Sequence, residues 1–203
     1  MLRLIAWLAI LTPATMAGAQ TFEIQGQDGT ICAAFAFDRN VIATAAHCTG
    51  KGDSFQVLGL GSPGEARLIA RGAFDGRYLT ETEKTAVDVA LLTTELRMPR
   101  ATDIAMRDAG IGEVLEIEPP GGGYSRCRVL ARYGDAYDLA CQVSGGWSGS
   151  PVYTRRQAGA RFLIGMVSGR LGRVGEGIAV MVHARALAGL QPPPLAGTST
   201  AQP

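Results

Sequence analysis

Short apolar runs alternate with clusters of Gly, Pro, Asp and Ser along most of the chain. Ile31 to Phe37, Val41 to Thr44, Phe55 to Leu58, Arg67 to Ala73 and Val87 to Leu92 form a first group of β-like segments. Val114 to Ile117, Ser125 to Ala131, Leu139 to Val143, Pro151 to Tyr153, Phe162 to Val167 and Ile178 to Val182 form a second. Between the groups, Met98-Pro99-Arg100 and the polar stretch to Gly112 predict a connection between two halves. Runs this short, recurring at turn-bounded intervals, predict an all-β barrel or sandwich. Only Ala184 to Leu190 carries a helical pattern, and Pro192-Pro193-Pro194 stops it. The tail from Leu195 to Pro203 is small and polar, as expected of a disordered end. No fixed-period repeat is visible.

The first nineteen residues have a different pattern. Arg3 supplies a positive start, Leu4 to Leu11 an apolar run, and Ala17-Gly18-Ala19 a small-residue cleavage site before Gln20. The run is about eight residues, against the roughly 20 that a spanning helix needs. We therefore expect a cleaved signal peptide, no membrane association afterwards, and a secreted or periplasmic mature protein. The composition fits a folded chain: 47% of its 203 residues are hydrophobic and 18% charged. A formal net charge of +1, which loss of Arg3 brings to zero, gives no electrostatic reason to expect nucleic acid as a partner.

Export makes the cysteines informative. Cys32 and Cys48 are close in sequence, as are Cys127 and Cys141, and the two pairs lie far apart. Four cysteines allow three connectivities, between which sequence alone does not choose. Two local bridges are the simplest set in an oxidising compartment, each worth about 3 kcal/mol in the chain-entropy model. A zinc site built on His47 and Cys48 is the competing reading, but the chain has no C-x-x-C or H-x-x-x-H pair. We expect no metal and no cofactor.

Three segments carry chemistry. Ala43-Thr44-Ala45-Ala46-His47-Cys48 places a histidine where a strand gives way to a loop. Val87-Asp88-Val89-Ala90-Leu91-Leu92 embeds an acid in an apolar run, and Gly145-Gly146-Trp147-Ser148-Gly149-Ser150-Pro151 flanks a serine with glycines. A serine hydroxyl is a poor nucleophile until a base takes its proton, and the base works best when an acid fixes its tautomer. Glycines beside the serine permit the tight backbone that aims N–H groups at a developing oxyanion. Each segment alone has a plainer explanation: a structural histidine, a satisfied buried acid, a glycine turn. The order His, Asp, Ser, with a cysteine after the histidine, is the specific signal.

On these residues the chain resembles the chymotrypsin-fold, trypsin-like serine peptidases, most of all the compact secreted bacterial, glutamyl-endopeptidase-like branch. Thr44-Ala45-Ala46-His47-Cys48 matches the family's T-A-A-H-C segment, and Asp88-Val89-Ala90-Leu91-Leu92 its D-[IV]-A-L-L strand. Gly146-Trp147-Ser148-Gly149-Ser150-Pro151 is similar to G-[DN]-S-G-[GS]-P, and Gly165-Met166-Val167-Ser168-Gly169 to the strand lining the substrate channel. The resemblance spans residues 28 to 190 and implies two six-stranded antiparallel β-barrels packed together, with a short C-terminal helix. The expected division is a signal peptide at 1–19, a barrel at 20–100 carrying His47 and Asp88, a barrel at 101–190 carrying Ser148, and a tail at 191–203.

The resemblance implies an endopeptidase acting on polypeptide substrates as a monomer. His47 would be general base and acid, Asp88 its orienting partner, Ser148 the nucleophile of an acyl-enzyme, and the Gly146 and Ser148 amides the oxyanion hole. It also implies a Cys32–Cys48 bridge. Ser168 would bond near the acid, and Ser168-Gly169 would begin the strand that pairs with substrate. Gln142 and Val143 would lie at the base or wall of the specificity pocket, with Arg170 and Gly177 on the opposite rim. Val167 stands where glutamyl endopeptidases carry a histidine, so their acid recognition is not inherited. Arg170 could hold an acidic side chain or be a solvated rim charge. His183 is expected to be structural.

Two departures stand out. Trp147 replaces the acid that pairs with a new N-terminus in the digestive members, and Gln20-Thr21-Phe22 lacks their Ile-Val-Gly-Gly start. The oxyanion loop must then be held by packing, with the indole under it. A catalytically inactive homologue serving as a binding module is the alternative. A lipase or esterase of the α/β-hydrolase class fails, because Ser150 replaces the last glycine of G-x-S-x-G and helical crossovers are missing.

Overall fold

The structure, a computed structural model, describes residues 21–50, 52–61, 63–74, 80–98, 103–154, 161–171 and 177–190. The first half forms β1 (Thr21–Gln25), β2 (Ile31–Asp38), β3 (Val41–Thr44), β4 (Ser54–Leu58), β5 (Gly64–Arg71) and β6 (Ala90–Thr94), with burial alternating in β1 and β4 and nearly continuous in β2 and β3. They close into an antiparallel barrel in the order β1-β2-β3-β6-β5-β4. The second half gives β7 (Val114–Ile117), β8 (Ser125–Tyr133), β9 (Ala136–Ala140), β10 (Pro151–Thr154), β11 (Leu163–Leu171) and β12 (Ile178–His183), closed as β10-β11-β12-β9-β8-β7. Closure leaves no exposed sheet edge around either barrel, the usual hazard of short antiparallel strands. The two-barrel, all-β architecture is the expected one.

Apolar side chains are buried in both barrels, in the first on both faces of its strands. In the first, Phe22, Ile24, Phe35, Ile42, Val57, Leu91 and Leu92 are buried; in the second, Leu115, Ile117, Val129, Leu139, Ile164 and Met181. The first core runs on without a break into Tyr153, Leu163, Met166 and Val182 of the second barrel, so apolar packing fuses the barrels. The terminal helix α2 (Arg185–Leu190) closes this seam with fully buried Leu187, matching the helix expected at Ala184 to Leu190. Cys32–Cys48 and Cys127–Cys141 are both bridged. No helix among the described residues is long and apolar enough to cross a membrane. The expected signal peptide at 1–19 and the expected tail at 191–203 lie outside the described residues.

Several local expectations need correction. Thr21–Gln25, which none of the expected runs covers, is strand β1, paired with both β2 and β4. A second helix, α1 (Glu81–Ala86), precedes Asp88. Its signal was the capping box Thr80-x-x-Glu83: Thr80 Oγ1 accepts from the Glu83 N–H while Glu83 accepts from the Thr80 N–H. Asp88 therefore lies between α1 and β6, and Val87 to Val89 is not strand. In the second barrel, β9 covers 136–140 rather than Leu139 to Val143.

Candidate active site

Strand β3 delivers Thr44 to the cleft between the barrels, and a single 3₁₀ turn over Ala46–Thr49 presents His47. The Cys32–Cys48 bridge ties this turn to β2. Asp88 is fully buried, and its carboxylate is fully engaged. Oδ1 accepts from the His47 backbone N–H at 2.9 Å, and Oδ2 lies 2.8 Å from His47 Nδ1. Oδ2 also accepts from Ser168 Oγ at 2.5 Å. The buried carboxylate thus has three donors to satisfy it, and a proton on Nδ1 leaves Nε2 of the imidazole free to accept. The Asp88 backbone N–H donates to Thr85 O at the end of α1, so the unforeseen helix sets the acid's position.

Ser168 reaches Asp88 from the other barrel through a local irregularity. Between the pairs Val167↔Met181 and Gly169↔Val180, β11 carries one extra residue, Ser168. A β-bulge re-aims the side chain it contains, and here it turns a hydroxyl toward Asp88.

Ser148 sits on the loop before β10. Its carbonyl accepts from Ala33 N at 2.9 Å, stitching the loop to β2, and Gly149 N donates to Val167 O at 2.7 Å. Gly149 has φ +92°, and a Cβ there would lie 2.0 Å from Ala33 O, so only glycine fits the stitch. Gly146 has φ +84°, and neither its amide nor that of Ser148 donates to a partner among the described residues. Trp147, like Cys141 and Val143, is partly buried against the second core. Ser148 Oγ donates to Ser168 O at 3.1 Å, and His47 Nε2 lies 3.5 Å from Cys48 Sγ.

His47, Asp88, Ser148 and Ser168 are thus gathered at one seam. Ser168, Gly169 and Arg170 line a cavity of about 340 Å³ next to His47. Gln142 and Gly177 lie together, a Cβ on Gly177 falling 4.0 Å from Gln142 Cγ. The segment 172–176, which joins Arg170 to Gly177, is outside the described residues. Cys32, His47 and Cys48 bring possible ligand atoms within 4.8 Å of one another, but both sulfurs are spent in the bridge and Nδ1 faces Asp88. That group does not fit a thiolate metal centre. His183 is buried: Nε2 faces Arg107 O at 3.0 Å, and Nδ1 accepts from the Arg185 backbone N–H at 3.0 Å. Burial holds its pKa below the ordinary value.

Two closed six-stranded barrels meeting at such a seam are the chymotrypsin-like fold of serine proteases. The chain is similar to the Rv3671c protease of M. tuberculosis in its inactive form, with 21% identity and TM-score 0.61 over 84% of this chain and 86% of that one. A human pathogenic astrovirus serine protease gives 20% identity and TM-score 0.56 over 80% and 88% of the two chains. The serine endoprotease from Yersinia pestis gives 18% identity and TM-score 0.65, over 86% of this chain but 61% of the Yersinia chain. No family model matches the chain, and no curated protein matches it. These likenesses establish the fold, while the expected glutamyl-endopeptidase branch finds no support among them.

Proposed function

We propose that the protein is an exported serine endopeptidase that cleaves polypeptides through His47, Asp88 and Ser148. The observation that carries this reading is the carboxylate–imidazole pair at 2.8 Å, on the same seam as a serine followed by a glycine no other residue can replace. The Ser148 hydroxyl turns from Ser168 O to His47 Nε2 and attacks the peptide carbonyl carbon as its proton passes to that nitrogen. The amides of Gly146 and Ser148 receive the oxyanion, a contribution of about 10² to 10³ in rate per donor in comparable sites. Collapse breaks the C–N bond, the leaving amine takes the proton from Nε2, and an acyl ester remains on Ser148. Water repeats the sequence and restores the free hydroxyl. Asp88 stays ionised throughout and stabilises the imidazolium.

Substrate would add as an extended strand along Ser168–Leu171, since backbone pairing needs no particular side chain. Two disulfides fit an oxidising compartment, either extracellular or periplasmic. The orientation of Ser148 toward Ser168 favours one second reading, a binding module that retains the barrels without turnover. A fluorophosphonate probe separates the two. Covalent labelling of the purified protein, abolished in Ser148→Ala, is expected; an unlabelled, folded protein overturns the peptidase assignment.

A further inference from the structure

The cavity beside His47 has a composition of its own. It lies where α1 packs over the outer face of β9 and β12. Phe74, Leu171 and Val180 give it apolar walls, and Asp138 stands among them. The opening extends over Gly169, where a Cβ built on the backbone meets nothing within 4 Å. Asp138 pairs across β12 with Val180, which pairs with Gly169, so the three form one row across the sheet. The path from Gly169 to Asp138 is two strand spacings, about 10 Å, within reach only of a long side chain crossing over Gly169.

The charges around the cavity are uneven in their partners. Lys84 is held by Glu81 at 2.8 Å, and Asp88 is saturated by His47 and Ser168. Arg170 is exposed at the end of β11. Asp138 has no hydrogen-bond or ion-pair partner among the described residues, and burial pushes its carboxyl above the usual carboxylate value. A purely apolar occupant would strip more water from this carboxylate without compensation, whereas a guanidinium offers paired donors and its methylenes suit the apolar walls.

We propose that this cavity selects substrates bearing an arginine within the four residues before the scissile bond, with Asp138 as the specificity-determining residue. The proposal rests on the peptidase reading above. It deepens that reading, because the edge of β11 along which substrate would lie, Ser168–Leu171, runs directly past the cavity mouth.

The test uses the Ser148→Ala chain and extended peptides carrying arginine or its uncharged isostere citrulline at each of those four positions, with glutamate and glutamine as a second pair. At one position citrulline should weaken binding about ten-fold, the scale of one charge-assisted hydrogen-bonded pair. That difference should vanish in Ser148→Ala/Asp138→Asn. Equal binding of arginine and citrulline peptides at all four positions overturns the proposal, as does binding of neither at millimolar peptide. A difference that survives Asp138→Asn also overturns it, and so does a preference for glutamate with arginine and citrulline equal, which would give the cavity to Arg170. The arginine–citrulline comparison needs no Asp138 variant, so it stands even if that variant does not fold. Because the readout is binding to a chain without its serine, it fails or succeeds separately from fluorophosphonate labelling.

Discussion

The two barrels build their shares of the seam by different means. The first places His47 and Asp88 through side-chain hydrogen bonds around a fully buried carboxylate. The second places Ser148 through backbone geometry: a left-handed glycine, two amides without partners among the described residues, and backbone hydrogen bonds to β2 and β11. A side-chain network is vulnerable to isosteric changes that leave shape intact. A backbone loop tolerates changes of chemistry but not the addition of a single carbon. Substitutions that respect shape should therefore damage the first share most, and substitutions that add or remove volume the second.

The largest expected effect is on the side-chain share. In Asp88→Asn one end of the carboxylate becomes a donor facing His47 and Ser168, so the imidazole is held in the wrong tautomer. In the comparable triad template this costs about 10⁴ in kcat with the fold retained. Peptide turnover together with an unchanged melting temperature is the check. A loss of less than ten-fold would mean that Asp88 does not orient a catalytic base. Next comes Gly149→Ala, where the added carbon must displace Ala33 O and hold a φ that alanine rarely adopts. Strain alone is worth about 1–3 kcal/mol, and loss of the stitch between β2 and the loop adds to it. Denaturant unfolding should show that deficit alongside loss of fluorophosphonate labelling; a variant as stable as the parent would refute the stitch.

These predictions also mark how far the residues could be read before folding. His47, Asp88 and Ser148 stood out because reaction chemistry demands those residue types in recognisable local contexts, and short apolar runs separated by glycine turns are the direct imprint of barrel strands. The sequence pattern nonetheless puts Asp88 in a strand, where the structure has the turn between α1 and β6. Val87 and Val89 mimic the apolar pattern of β6, while the capping box at Thr80 and Glu83, the true sign of a helix ahead, is short and polar. Asp138 is equally silent in the sequence, since an outward aspartate on a strand has no local signature. Its interest comes from Gly169 and Val180 being its neighbours across the sheet, a matter of register rather than sequence.

Trp147 tests the backbone share from beneath. Its indole packs on the second core, and the residue carries no charge with which to hold the loop by an ion pair. Trp147→Ala should lower the acylation rate about 10- to 100-fold, less than removing a nucleophile, because the Gly146 and Ser148 amides lose their fixed aim rather than disappear. KM should change little, and Trp147→Phe should restore most of the rate. An alanine variant that acylates at the parental rate would show that Gly149 and its carbonyl partners hold the loop without the indole.

The smallest effect lies away from the seam, in the second barrel's hold on the connecting segment. His183 Nδ1 accepts from the Arg185 backbone N–H, so its proton sits on Nε2 and is donated to Arg107 O. Asp135, Arg132 and Tyr137 also face the ring, and Asp108 binds Arg132 and Arg185. Burial, the largest influence, disfavours the imidazolium and holds the folded pKa below the ordinary value of 6.5. The unfolded chain therefore binds the proton first as pH falls, and stability must drop from about pH 6.5 until the folded pKa is passed, below which the loss is complete. Protonation would also place a donor on Nδ1 against the two donors of Arg185. In His183→Gln the overall stability should be lower at neutral pH, while the acid slope in this window should flatten relative to the parent. Parallel stability curves for parent and variant between pH 7 and 5 would mean that His183 takes up its proton equally in both states, and that the neutral ring is not what fastens Arg107 to the second barrel.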